Sequence, residues 1–158
     1  MIAMSNAAIT EPIAVADSVA ALRALVERFW QALGRRDFDA VGAMMSETGH
    51  YIDVPLVGAE DGARGPREVA ARLRLGLEPL ERYVLHPGPI IVDDDFVITE
   101  HAEEWRFHTG EVALVKFVSV HEFDADGRIV RWWDYPDLNT LLEQAPKWWI
   151  DHIMEGYQ

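Results

Sequence analysis

The segment FVITEHAEEWRF, residues 96–107, alternates between apolar and polar side chains with a period of two residues. This alternation is typical of a β-strand with one buried and one solvated face. The face predicted to be buried carries Val97, Thr99, His101, Glu103, Trp105 and Phe107. A histidine and a glutamate therefore lie side by side on a mostly apolar face. Because burial disfavours an ionised carboxylate, the pair requires a partner or a function.

Three neighbouring segments show the same period. They are 82–92 (RYVLHPGPIIV), 111–123 (EVALVKFVSVHEF) and 128–135 (RIVRWWDY). The connections DDD, HTG and DADG carry turn residues, so the strands are predicted to pair as antiparallel hairpins. An earlier extended segment, GHYIDVPLV at 49–57, contains Pro55, which ends it.

Helical spacing of apolar residues is found in the first half of the chain. It runs from Val19 to Leu33, after a capping residue at Asp17 or Ser18. Shorter helices are predicted from Asp37, over 65–80 and over 137–144. This order predicts an α+β fold, a curved antiparallel sheet wrapped round helices as a cone with a central cavity (a cystatin-like roll). Residues 1–16 are expected to form a flexible arm and residues 17–158 a single domain.

The composition narrows the class of protein. The 158 residues include 27 acidic and 14 basic side chains, a formal net charge of −13. Such a surface repels phosphate backbones and anionic lipid, so neither nucleic acid nor a membrane is an expected partner. The lack of cysteine removes thiol chemistry and disulfides, and no apolar run has the length of a membrane span. The first residues lack the pattern of a signal peptide, and a cytoplasmic location is expected.

Polar side chains on three predicted strands share faces that should be buried. They are Tyr51 and Asp53, then His101 and Glu103, then Asp134. Neighbouring buried carboxyls separate their proton affinities, so one acts as an acid and another as a base, and a histidine can hold both. The set predicts general acid–base chemistry without a cofactor or metal. The wall of the predicted substrate pocket is formed by Phe29, Trp105, Phe107 and Trp132.

Structural roles are the alternative for several residues. A single His or Glu on an alternating strand is commonly a rim residue or is satisfied by a backbone group. His121 is expected at a rim, the arginines of REVAARLR on the solvated side of a helix, and Trp148 and Trp149 in packing or dimer contacts. A less favoured alternative makes His101, Glu103 and His121 a two-histidine, one-carboxylate metal set.

The order of elements and the motifs YIDVP (51–55), TEHAEEW (99–105) and RWWDYPDL (131–138) resemble the nuclear transport factor 2-like superfamily. Within it the chain is most similar to limonene-1,2-epoxide hydrolases and SnoaL-like proteins. The resemblance implies that Glu103 is the acid, that Asp134 is the base, and that Tyr51 and Asp53 hold the water. His101 stands where those hydrolases have arginine, and Asp53 where they have asparagine. The resemblance also implies a homodimer formed through the outer face of the sheet.

Four functions remain open at this point. The favoured one is hydrolysis of an epoxide on a small apolar molecule to a trans-diol. The second is proton transfer by an isomerase, cyclase or dehydratase acting on a ring carbonyl compound. The third is metal-dependent chemistry, and the fourth is binding of a small molecule without catalysis.

Overall fold

The computed structural model describes residues 11–56 and 61–156. Within these residues the α+β prediction is confirmed: helices pack against one curved, unclosed sheet. The helices are α1 Glu11–Gly34, α2 Phe38–Ala43, α3 Gly65–Leu77, α4 Leu138–Gln144 and α5 Lys147–Gly156. The strands are β1 Met45–Asp53, β2 Ala63–Arg64, β3 Arg82–His86, β4 Ile90–Asp93, β5 Phe96–Arg106, β6 Val112–Phe123 and β7 Ile129–Pro136. No helix in this part of the chain has the length and apolarity needed to cross a bilayer.

The first helix begins earlier than the sequence predicts. It starts at Glu11, so residues 11–16 of the predicted arm are helical, and neither Asp17 nor Ser18 is its cap. Pro12 falls in the first turn, where its missing N–H costs no hydrogen bond. The remainder of the predicted arm, residues 1–10, lies outside the described residues.

The sheet is mixed, with the strand order β2-β1-β7-β6-β5-β3 and with β4 also paired to β5. The predicted hairpins β4–β5, β5–β6 and β6–β7 are antiparallel, but β1 and β7 run parallel, which hairpin turns do not reveal. This parallel pairing brings β1, from the first half of the chain, beside the last strand. Two of the predicted site segments therefore become neighbours.

The segment predicted as one strand at 82–92 forms two strands, and both pair with β5. The break falls at Pro87–Gly88–Pro89, where the prolines cannot donate to the ladder. Gly88 is required because a Cβ there would lie 2.0 Å from the carbonyl oxygen of Glu100. The break lets this edge of the sheet bend round the helices.

The core lies between α1 and the concave face of the sheet. Val26, Phe29 and Leu33 of α1 are buried against inward residues of β5, β6 and β7. The alternation in β5 is as predicted: all the odd-numbered residues from Val97 to Trp105 are buried. The inward and outward faces of the predicted site strand are therefore assigned correctly.

Candidate active site

A cavity of about 260 Å³ opens between the concave face of the sheet and the helices α3, α4 and α5. Its wall is mostly apolar, and α3, α4 and α5 together form one side of it. The helical lining comprises Arg72, Leu73, Gly76, Leu77, Leu138, Leu141, Leu142, Trp149, Ile150, Ile153 and Met154, with Leu33 from α1. The opposite wall, from the sheet, carries the polar groups. An apolar pocket with a few converging polar side chains is the usual form of a small-molecule site.

Six of the nine residues predicted for the site line this cavity. They are Tyr51, Asp53, Glu103, Trp105, Trp132 and Asp134. The carboxyls of β1, β5 and β7 thus meet in one sheltered space, as the sequence predicts. The exposed fraction of both Glu103 and Asp134 is only 4%.

Glu103 is held by its two neighbours on the inward face of β5. Trp105 donates its indole N–H to Oε2 at 2.9 Å, and Nε2 of His101 lies 3.2 Å from Oε1. The phenol of Tyr83 on β3 is buried nearby, although its hydroxyl makes no hydrogen bond of good geometry. Burial and the adjacent carboxyl of Glu103 hold the pKa of Tyr83 well above its usual value, so the phenol stays neutral.

Asp134 is anchored through a single oxygen. Ser119 and Trp132 donate hydrogen bonds to Oδ1 at 2.5 and 2.6 Å. Burial, and then the neighbouring carboxyl of Asp53, raise the pKa of Asp134 well above its usual value, despite these two donors. The residue is therefore a strong base once it is ionised.

Asp53 lies beside Asp134 on the adjacent strand, and Tyr51 donates its hydroxyl to it, with 3.1 Å to each carboxylate oxygen. The ring of Tyr51 stacks on Trp132 with 4.0 Å between centroids, which fixes the phenol. Burial raises the pKa of Asp53 to about 6, while Tyr51 and the guanidinium of Arg72 oppose the rise. The cavity therefore holds carboxyls with different proton affinities.

Three predicted residues do not line the cavity. His101 lies behind Glu103, with its ring 4.2 Å from that of Trp30 and 5.1 Å from that of Phe117. Phe29 is fully buried in the core against Trp132, whereas Leu33, one turn later on α1, lines the cavity.

Phe107 likewise packs in the core, against Trp148 and Trp149 of α5. The sequence places these residues correctly on the buried faces of their strands and of α1. It is wrong to place them at the wall of the cavity. His101 does not bridge the carboxyls as predicted, since Asp134 takes its hydrogen bonds from Ser119 and Trp132.

Sequence reasoning missed one charged wall residue. Arg72, predicted to face solvent, lines the cavity and lies close enough to lower the pKa of Asp53. Gly76 lies one helical turn later on the same face of α3 and also lines the cavity. A glycine within the predicted helix was the available signal, because it marks the face of α3 that α5 approaches across the cavity.

His121 is buried rather than at a rim. It has no exposed surface, and its ring lies 4.5 Å from Phe29 and 5.7 Å from Trp132. Burial lowers its pKa to about 3, so the imidazole is neutral. Within residues 11–56 and 61–156 no three His, Cys, Asp or Glu side chains form a metal-binding group, so His101, Glu103 and His121 do not make the alternative metal set.

Residues 26–132 match the model of the SnoaL-like domain, which covers more than half of the chain. The chain therefore belongs to the SnoaL-like family, and the expected nuclear transport factor 2-like cone is confirmed. No curated protein matches the chain significantly.

Solved structures extend the comparison. A limonene epoxide hydrolase (LEH)-like epoxide hydrolase from Mycobacterium tuberculosis is 27% identical, with 80% of this chain and 90% of that chain covered at a TM-score of 0.66. A protein described as a SnoaL-like polyketide cyclase from Shewanella denitrificans OS-217 is 15% identical, with coverages of 78% and 95% and a TM-score of 0.67. TerC, co-crystallised with polyporic acid, is 19% identical, with coverages of 78% and 96% and a TM-score of 0.67. The last two comparisons support the fold alone.

Proposed function

We propose that this protein is a cofactor-independent acid–base enzyme that adds water to an epoxide carried by a small apolar molecule. The observation that carries the proposal is the meeting of three carboxyls, those of Asp53, Glu103 and Asp134, in one apolar cavity. Opening an epoxide with water needs an acid at the oxygen and a base at the water, both sheltered from solvent. The similarity to the mycobacterial epoxide hydrolase supports the same reaction class.

The reaction is one concerted displacement. Glu103 donates a proton to the epoxide oxygen as the carbon–oxygen bond breaks, and a water oxygen attacks the carbon from the opposite side. The water proton passes to Asp134, and a trans-diol results. In the tautomer with its proton on Nε2, His101 donates to Oε1 of Glu103 in both states of the carboxyl, which leaves the acidic proton of Glu103 on Oε2 for the epoxide.

The substrate class follows from the cavity. Its volume of about 260 Å³ and its leucine, isoleucine and tryptophan lining suit a compact hydrocarbon skeleton. Leu142 and Met154 line the cavity and are half exposed, so the rim is apolar as well. An epoxide on a ring or a short branched chain is the expected substrate.

The test is hydrolysis of a panel of cyclic and acyclic epoxides, with the diols separated on a chiral column and the reaction run in ¹⁸O-labelled water. The wild type is expected to give trans-diol with one labelled oxygen. Glu103→Gln and Asp134→Asn are expected to lose at least 100-fold in kcat. Glu104→Gln is the matched control, because Glu104 is the next residue on β5 but lies on the opposite face with Arg106. Diol formation that survives both site substitutions would refute the mechanism.

A second candidate is proton transfer within a ring carbonyl compound. The hydrogen-bonded pair of Tyr51 and Asp53 favours it, because a buried carboxylate and a phenol suffice to move a proton between carbons. His101 does not line the cavity, which removes it from the base role in this alternative. Exchange of an acidic C–H of a cyclic ketone in heavy water, without diol formation from epoxides, would favour this reaction.

We also propose a homodimer formed through the outer face of the sheet. This face exposes Ile98, Val112, Leu114, Val118 and Tyr135 on β5, β6 and β7. Light scattering of the eluting protein is expected to give twice the chain mass, and Val118→Asp is expected to give a monomer. A wild type that stays monomeric at high concentration would contradict the proposal.

A further inference from the structure

Asp53 and Asp134 occupy directly opposed positions on adjacent parallel strands. Their Cα atoms are partners in the β1–β7 register, as are those of Tyr51 and Trp132. The backbone N–H of Val54 donates to the carbonyl of Asp134 at 2.9 Å, which continues the pairing past the end of β1. Adjacent strands lie about 4.8 Å apart, so both carboxyls enter the cavity side by side from neighbouring backbones.

The hydrogen bonds that this pair accepts are distributed unevenly over its four carboxyl oxygens. Asp134 accepts from Ser119 and Trp132 through Oδ1, whereas Asp53 accepts from Tyr51 at both oxygens. Both donors from the sheet contact Oδ1 of Asp134, a residue that lines the cavity, and neither contacts Oδ2. Two carboxyls at opposed positions of adjacent strands, in one mostly apolar cavity, do not both ionise easily, so their protons leave in two coupled steps.

We infer that Asp53 and Asp134 share one proton and act together as the base that receives the proton of the attacking water. The assignment of a base role rests on the proposed function, whereas the sharing of the proton does not. Epoxide hydrolases of the resembled type have asparagine at the position of Asp53, and an amide cannot share a proton in this way. The pair is therefore a property of this chain.

The step balances with one proton on the pair at the start. Glu103 gives its proton to the epoxide oxygen, the carbon–oxygen bond breaks, and the water oxygen forms the new bond to carbon. The released water proton joins the pair, which changes from a monoanion to two neutral carboxylic acids. The pair then loses one proton to solvent and Glu103 regains one, which restores the starting state.

The charged and titratable groups around the pair are Tyr51 on β1, Arg72 on α3, Tyr83 on β3 and Glu103 on β5. Burial is the largest cause that raises the pKa of both aspartates, and the charge of Glu103 adds to it. Arg72 and Tyr51 act in the opposite direction on Asp53. These surroundings favour a single negative charge on the pair over two.

The first experiment is the pH–rate profile for epoxide hydrolysis by the wild type and Asp53→Asn. In the wild type the acidic limb reports the first step of the pair, formation of the monoanion, which sharing of the remaining proton favours. Asp53→Asn removes this sharing, so the acidic limb is expected to move up by one pH unit or more. A lower kcat is expected at neutral pH, because a smaller fraction of Asp134 is ionised there. Glu104→Gln is expected to leave the limb in place. An unmoved acidic limb in Asp53→Asn would overturn the shared base.

A second experiment needs no substrate. Carboxyl-¹³C aspartate is incorporated into the wild type, Asp53→Asn and Asp134→Asn, and the resonances are followed by NMR from acid to alkaline pH. The wild type is expected to show two resonances that each respond to both steps, and each variant a single step at a pH between the two. Independent titration of the two aspartates in the wild type would overturn the inference. Coupled titration without diol formation would instead leave the pair intact and reject the proposed function.

Discussion

His101 and Glu103 occupy alternate positions of β5, and Nε2 of the first lies 3.2 Å from Oε1 of the second. The imidazole is fixed between the rings of Trp30 and Phe117, so it has little freedom to move away. In the proposed reaction, its role would be to aim the carboxyl of Glu103 rather than to touch the substrate. A chain with arginine at this position would carry a permanent charge, whereas this chain keeps a titratable group.

Replacing His101 tests this positioning role. His101→Phe keeps the stacked ring but removes the contact with Glu103, and kcat for epoxide hydrolysis is expected to fall about 10- to 100-fold, as for other groups that orient an acid. KM is expected to change little, because His101 does not line the cavity. His101→Gln, which restores a donor, is expected to recover part of kcat. Full kcat in His101→Phe together with a loss in His101→Gln would show that only packing matters.

His121 is expected to limit stability rather than activity. Its ring is fully buried, and neither nitrogen has a hydrogen-bond partner among the described residues. His121→Phe keeps an aromatic ring against Phe29 and removes an unsatisfied donor, so it is expected to stabilise the fold by about 1 kcal/mol at pH 7. Thermal unfolding of the two proteins measures the difference.

The stability gained by His121→Phe is expected to increase as the pH falls. The pKa of His121 is lowered to about 3, so the unfolded chain binds a proton below about pH 6.5 that the folded chain does not. The wild type therefore loses this part of its stability as the pH falls from 6.5 towards 3, and the advantage of His121→Phe is expected to grow over that range. The exposed His108→Gln is the control, and a constant difference between pH 7 and pH 5 would contradict the prediction.

Asp134→Asn is expected to raise stability while it abolishes hydrolysis. The pKa of Asp134 is higher in the folded chain than in the unfolded chain, so the folded chain holds this proton more tightly. This contribution to stability is fully present below the pKa of Asp134 in the unfolded chain. It is lost as the pH rises through the pKa of Asp134 in the folded chain. The amide oxygen still accepts from Ser119 and Trp132, but it carries no charge. The gain is expected to be about 1–3 kcal/mol at pH 8 and to vanish near pH 4. A destabilised variant at pH 8 would show that the carboxylate is well compensated.

Periodicity in the sequence predicted the strands and the inward faces of the site residues well. The period-two pattern of 96–107 placed His101 and Glu103 on the buried face, and the motif ending in Asp134 placed that carboxyl at the end of the last strand. These are local properties, because alternate residues of a strand always share a face. Strand positions shared with a known family then indicated which strands converge.

The sequence did not reveal which buried residues line the cavity, or which distant segments pair in the sheet. Phe29 and Phe107 are large apolar residues of the kind that line pockets, but only the packing of α1 and α5 decides that they lie in the core. The parallel pairing of β1 with β7 joins segments about 80 residues apart, and no turn motif encodes it. The position of Arg72 depends likewise on the rotation of α3 above the sheet. Each of these features is tertiary, and each decides the chemistry of the cavity.

The length of the accepted substrate should depend on α5, which closes one side of the cavity. Ile153 is buried in this wall on α5, whereas the carboxyls lie on strands of the sheet, so Ile153→Ala enlarges the pocket without replacing an acid–base group. The ratio of kcat/KM for a bulky epoxide to that for a small one is expected to rise about 10-fold, since each methylene that gains room is worth about 1 kcal/mol. Glu155→Ala, exposed on the same helix, is expected to leave the ratio unchanged. Kinetics on a homologous series of epoxides measures the ratio, and equal selectivity in the wild type and Ile153→Ala would show that α5 does not set the size limit.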